Sequence, residues 1–139
     1  MLEPKRITYR RQHRRRGAFG GTATSGYELA NGSHGLKAIT AGELTARQIE
    51  AARKVIARAT DRAGKTWIRV FPHTPVTKKA AEVPMGAGKG ALEYYCAIIP
   101  RGTILFEIDG IPANLAVAAL EQAAYKLPFK TKVVTRLAA

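Results

Sequence analysis

Residues 5–16 read KRITYRRQHRRR, and seven of those twelve are Lys or Arg. Such a block cannot pack against itself in water, so it is either disordered or laid along an anionic partner. The core must therefore come from the residues C-terminal to it. GAFGGTATSG comes next, a glycine-rich stretch that reads as a hinge. The imbalance continues past the hinge. The chain carries 23 Lys+Arg against 10 Asp+Glu, a net charge of +13 on 139 residues. That charge repels itself unless a polyanion neutralises it. Nucleic acid is the leading candidate and an acidic membrane surface the second. Arginine, which dominates the arm, can bind phosphate bidentately.

The remaining totals exclude several classes. A single cysteine allows no disulfide framework and no cysteine-built metal site, which suits a reducing compartment. No apolar run is long enough to span a bilayer. Glu3, Pro4 and the lack of serine in the first twenty residues argue against a transit peptide. The length fits one domain.

The clearest local element is a helix in LTARQIEAARKVIARATDRAG. Thr45 and Gln48 have capping-box spacing, with Leu44 and Ile49 at the staple positions. Ile49, Ala52, Ile56, Ala59 and Ala63 repeat at helical spacing, and Gly64 is the expected stop. Lys54, Arg58 and Arg62 step by four on another face, with Arg47 one heptad before Lys54. A second helix is expected in ANLAVAALEQAAYKL, ended by Pro128. Strands are predicted at 34–40, 65–71, 91–99, 103–110 and 130–136. PRG, residues 100–102, predicts an antiparallel hairpin between the third and fourth of these. In the 65–71 strand, Trp67 and Phe71 are expected in the core. Glu107 and Asp109 share a strand face, an arrangement common on an exposed edge. The whole is an α+β fold: a mostly antiparallel sheet carrying two helices, with an extended basic arm and a long Gly/Lys loop. Residues 1–26 are read as arm and hinge. Residues 27–139 are read as one α+β domain interrupted by loop 72–91.

That loop contains EVPMGAGKG and invites comparison with nucleotide-binding loops. A P-loop needs glycine where Val83 stands and Ser or Thr where Gly90 stands. A dinucleotide loop needs a helix after it, and here a strand is predicted. What remains is bare glycine backbone beside Lys78, Lys79 and Lys89, which suits close approach to phosphate. No catalytic set emerges. His13, His34 and His73 lack ligand spacing and are expected at the surface. Cys96, mid-strand among apolar neighbours, reads as a buried inert thiol. No metal site and no cofactor are expected.

The segments MLEPKR, HGLKA, LTARQIEAARKVIARA, GKTWIRVFP, PVTKKAAEVPMGAGKG, EYYCAIIPRGTILFEIDG and AAYKLPFKTKVV carry a resemblance over most of the chain. It resembles the universal large-subunit ribosomal protein sixteen family in its bacterial form. The resemblance implies an α+β structural constituent of the large ribosomal subunit, not an enzyme. It implies rRNA binding, late assembly, and a share in shaping the aminoacyl-tRNA site near the peptidyl-transferase centre. The implied rRNA-binding residues are Lys5, Arg6, Arg10, Arg11, Arg14, Arg15 and Arg16 of the arm, with Arg47, Lys54, Arg58 and Arg62 of the helix. The implied tRNA-facing loop holds Lys78, Lys79, Met85, Gly86, Gly88 and Lys89. Implied partners are large-subunit rRNA, tRNA acceptor ends and neighbouring ribosomal proteins, with no membrane. The implied location is the cytoplasmic ribosome, an organellar ribosome of bacterial type being the other possibility. Two positions depart from the family pattern. Pro84 stands where relatives often carry an arginine, hydroxylated in some bacteria, and Ala87 where a second lysine is frequent. Charge alone leaves a free-standing RNA-binding regulator or chaperone as the alternative.

Overall fold

The structure, a computed structural model, describes residues 1–17 and 19–136. Ala18 of the predicted hinge and the last three residues of the predicted domain lie outside the described residues. In chain order come β1 (His34–Ala38), β2 (Gly42–Thr45), α1 (Ala46–Ala59), β3 (Lys65–Ile68), β4 (Thr74–Lys78), β5 (Ala91–Ile99), β6 (Ile104–Asp109), α2 (Ala113–Ala124) and β7 (Thr131–Thr135). The α+β class is as expected, but the single sheet is two. A four-stranded sheet has the order β3-β6-β1-β7, and a three-stranded one the order β2-β5-β4. All the strand pairs in both are antiparallel.

The predicted β5–β6 hairpin does not form. β5 already has β2 on one edge and β4 on the other, and β6 lies between β1 and β3. With both edges of each strand taken, residues 100–102 serve as a crossover between sheets. Gly102 donates its N–H to the Ala38 carbonyl, and the Thr103 hydroxyl donates to the Pro100 carbonyl. The hinge is clipped to the same crossover: Ala23 donates to the Arg101 carbonyl, and Ile104 donates to that of Gly26.

Helix α1 begins as its capping box dictates. The Thr45 hydroxyl accepts from the Gln48 N–H, and the Gln48 side chain accepts from the Thr45 N–H. Such a cap contributes about 1 kcal/mol. Ile49, Ala52 and Ile56 are buried. The helix stops earlier than predicted, at Ala59, and Ala63 is exposed. The buried Thr60 hydroxyl bonds back to the Ile56 carbonyl, and Asp61 and Arg62 turn left-handed at φ 50° and 61°. Gly64, φ 71°, instead opens β3; a Cβ there would lie 2.4 Å from the Asp109 carbonyl oxygen. Ala116, Ala119, Leu120 and Ala123 of α2 are buried, and these small residues let α2 lie close to β1 and β7. α1 and α2 pack on each other over one core containing Leu36, Leu44, Ile56, Ile99, Phe106 and Ile108.

Two expectations in this region fail. Phe71 is 42% exposed and Trp67 only half-buried, because it is Ile68 and Val70 that face the core. Glu107 is not on an exposed edge but is fully buried in the central strand β6. Its Oε1 accepts from the N–H groups of Ala30, Asn31 and Gly32 at 2.8, 3.0 and 3.1 Å. Its Oε2 accepts from Arg69 Nη1 at 2.6 Å, and the same Nη1 reaches the Glu28 carbonyl. The 28–32 segment is thereby strapped across β6. Gly32 is required by closeness: a Cβ would sit 2.7 Å from the Ile108 carbonyl oxygen.

Burial by itself pushes the Glu107 pKa up. The Arg69 hydrogen bond and the three N–H donors outweigh it and hold the carboxyl below its ordinary value. Its stabilising effect is therefore complete above the unfolded carboxylate pKa and disappears as pH falls through the lower folded value. Glu107→Gln is expected to cost about 3 kcal/mol at neutral pH, because it leaves Arg69 without its partner charge. Denaturant titrations at neutral and at acidic pH test this: the gap between native and variant chains starts to narrow below the ordinary glutamate value of about 4.3 and closes as pH falls through the lower folded value.

Candidate nucleic-acid interface

The arm crosses the body without forming a regular element. Leu2 packs against the core cluster, so the arm's first residues are tied down. Arg14 is the second attachment. Its guanidinium grips Glu43 of β2 through Nε at 3.1 Å and Nη2 at 2.8 Å. The Glu43 bond raises the Arg14 pKa further, so this cation is permanently charged. Arg14 is 41% exposed, which screens the pair to about 1 kcal/mol or less. That favours docking of the arm but leaves it easily displaced by phosphate. A third contact is long: Arg11 Nε donates to the Gly90 carbonyl at 3.3 Å, joining arm to loop. Among the described residues Arg14 alone of the arm cations has an acidic partner. Lys5, Arg6, Arg10, Arg15 and Arg16 are exposed.

The helix row is partly assembled. Lys54, Arg58 and Arg62 line one groove with Arg53, Ala57 and Asp61. Arg53 is paired with Glu50, one turn earlier, which lowers the Glu50 pKa and raises that of Arg53. Arg47 stands apart, at the other end of α1, beside Met1–Glu3, Tyr94 and Tyr95.

The stretch read as loop 72–91 contains a five-residue strand, β4. β4 pairs with β5, Thr77 opposite Leu92 and Lys78 opposite Ala91, so the glycine–lysine segment is the tip of a hairpin. The loop therefore lies between two strands, which fits neither nucleotide-binding pattern. Met85 is 93% exposed. Gly86, Ala87 and Gly88 all have positive φ, and Lys79 Nζ donates to the Gly86 carbonyl at 2.6 Å, bracing the tip. Lys78 lies 3.8 Å from Glu93, whereas Lys89 projects from the exposed part of the tip.

The histidines divide. His13 and His73 line one shallow surface pocket with Glu43, although sequence spacing gave no reason to join them. His34, expected at the surface, is buried in β1, its Nδ1 2.9 Å from the Ser33 hydroxyl. Cys96 is buried, and loss of water pushes its thiol pKa up to about 11, helped by the nearby Glu43. Glu43, Glu107 and Arg69 were missed as organising residues. Each has its partner far away in sequence, so no local pattern reveals them.

A basic arm, a cationic helix groove and a glycine–lysine hairpin tip thus stand on one small α+β body. This is the build of a protein incorporated into an RNA particle. A family model described as Ribosomal protein L16p/L10e matches residues 4–134. Large ribosomal subunit protein uL16 of Maricaulis maris is 52% identical over 137 residues, covering 99% of this chain and 98% of that protein. The uL16 of Erythrobacter litoralis is 54% identical over 136 residues, covering 98% and 93%. The uL16c of Trieres chinensis is 51% identical over 137 residues, covering 99% and 98%. The chain belongs to the L16p/L10e family of ribosomal proteins. It is a structural constituent of the large subunit, located in the ribosome, and not an enzyme. No described helix is long and apolar enough to cross a membrane.

The Arg14–Glu43 contact is checked by limited trypsin digestion. Glu43→Ala is expected to speed cleavage after Arg14, Arg15 and Arg16 several-fold, about the factor that loss of an exposed pair of this strength allows. The hydrogen-exchange protection of α1 and β6 stays as in the native chain.

Proposed function

We propose that this protein binds large-subunit rRNA through its arm and helix groove, supports late subunit assembly, and presents its loop toward aminoacyl-tRNA near the peptidyl-transferase centre. In this reading residues 1–26 are arm and hinge, and 27–139 are one body carrying loop 72–91. The observation that carries it is the exposure of arm cations that have no acidic partner among the described residues: Lys5, Arg6, Arg10, Arg15 and Arg16 are all exposed. Arg11 and Arg14 add to them once RNA replaces their contacts with Gly90 and Glu43. Each phosphate neutralised releases about one counterion, so affinity falls steeply with salt.

The loop's role is steric as much as electrostatic. Gly86 and Gly88 bring bare backbone to the tip, and Met85 stands exposed beside them. Lys78, Lys79 and Lys89 reduce the repulsion between two RNA backbones meeting there. With Pro84 and Ala87 in place of cations, the tip holds tRNA acceptor ends by close approach more than by charge. Neighbouring ribosomal proteins complete the surroundings.

Replacing Lys5, Arg6, Arg10, Arg15 and Arg16 by Gln keeps Leu2 and Arg14 and hence the docked arm. The dependence of log affinity on log salt for large-subunit rRNA is expected to become shallower by about four. On sucrose gradients the variant shifts from the large-subunit peak to the top fractions. Incorporation at the native level would overturn the arm's role. Equal affinity of the native chain for unrelated RNAs would favour the free-standing regulator instead.

A further inference from the structure

Asp61 and Arg62 are exposed residues with left-handed backbone, φ 50° and 61°. Any residue with a Cβ enters that region at a cost, and glycine would avoid it. No burial of these side chains repays the strain, for both are exposed. The turn does have a geometric effect. Arg62 donates its N–H to the Ala57 carbonyl at 2.9 Å, folding the chain back so that Arg62 rejoins Lys54 and Arg58 around the groove. Asp61 lines the same groove yet makes no ion pair and no side-chain hydrogen bond among the described residues. An acid among cations, left unpaired, weakens the groove for a bare polyanion.

We propose that this groove is a ribose-reading site for an A-form RNA strand: Lys54, Arg58 and Arg62 hold backbone phosphates while the Asp61 carboxylate accepts a hydrogen bond from a 2′-hydroxyl. The assignment rests on the proposed binding to rRNA and adds discrimination against DNA to it. A-form duplexes display their 2′-hydroxyls in a wide, shallow minor groove, within reach of a surface turn. DNA has no hydroxyl to offer, so there the same carboxylate only repels. The C-terminal end of α1 also favours the cations that border the site.

Binding of the full chain to an RNA duplex and to a DNA duplex of the same sequence, followed by fluorescence anisotropy, tests the site. Asp61→Gly is expected to lower the RNA-over-DNA affinity ratio about tenfold, the worth of a hydrogen bond to a charged group. Arg62→Gly is expected to weaken both duplexes alike and to make the salt dependence shallower by about one. Neither variant lowers the melting temperature, since glycine relieves the backbone. An unchanged ratio in Asp61→Gly overturns the site, whether or not the melting temperature moves. Failure of the native chain to bind large-subunit rRNA overturns the parent reading, and the groove with it.

Discussion

A carboxylate shut away from water is the constraint on which the arrangement of this protein depends. Burying Glu107 unpaired would cost several kcal/mol. Its compensation comes from two places far apart in sequence: the Arg69 guanidinium beyond β3, and three consecutive N–H groups of residues 30–32. The segment before β1 is therefore an obligatory lid over β6, since peeling it away would strip the carboxylate of three donors. This is why β6 is buried on both faces although α2 covers only one side of its sheet. It is also why the arm and hinge leave the body at a fixed point.

From that root out to Arg11 the polar attachments weaken, before Leu2 packs on the core cluster again. Glu107 is held by a nearly dry network, Glu43 by a half-solvated ion pair, and Gly90 by a single long hydrogen bond. Such a gradient suits the proposed transfer of the arm from protein contacts to phosphates. The acids follow the same logic. Glu43, Glu50, Glu93 and Glu107 each have a basic partner within the protein. None of the four neutralises the outermost arginines, so the field that reaches solvent from the arm is almost undiluted.

What was legible in the sequence was what local chemistry decides. The Thr45–Gln48 box marked the start of α1, and its apolar period identified the buried Ile49, Ala52 and Ile56. The charge runs marked the arm and helix row because they are contiguous or periodic. Strand pairing was not legible. β2 is four residues long and its partner lies some fifty positions away, so GELT read only as a helix lead-in. Likewise Pro100-Arg101-Gly102 has the chemistry of a hairpin turn, and only the occupied edges of β5 and β6 redirect it. Glu107 sits at an alternating position where exposure is the rule. Nothing near it in sequence announces Arg69 or the 30–32 donors.

The end of α1 separates these two kinds of information. Helical periodicity extends the cationic row to Arg62, and Arg62 does lie beside Arg58. Yet the helix has stopped three residues earlier, and Thr60 has turned its hydroxyl back on Ile56. A continued helix would have carried Ala63 toward the core; instead Ala63 is exposed and Gly64 swings the chain into β3. The row survives because two strained residues redirect the backbone. The side-chain pattern thus constrains where the charge must be more tightly than it constrains how the backbone brings it there. If that charge meets an external polymer, as proposed, this is the expected order: the partner meets the side chains, and several backbone routes can deliver them.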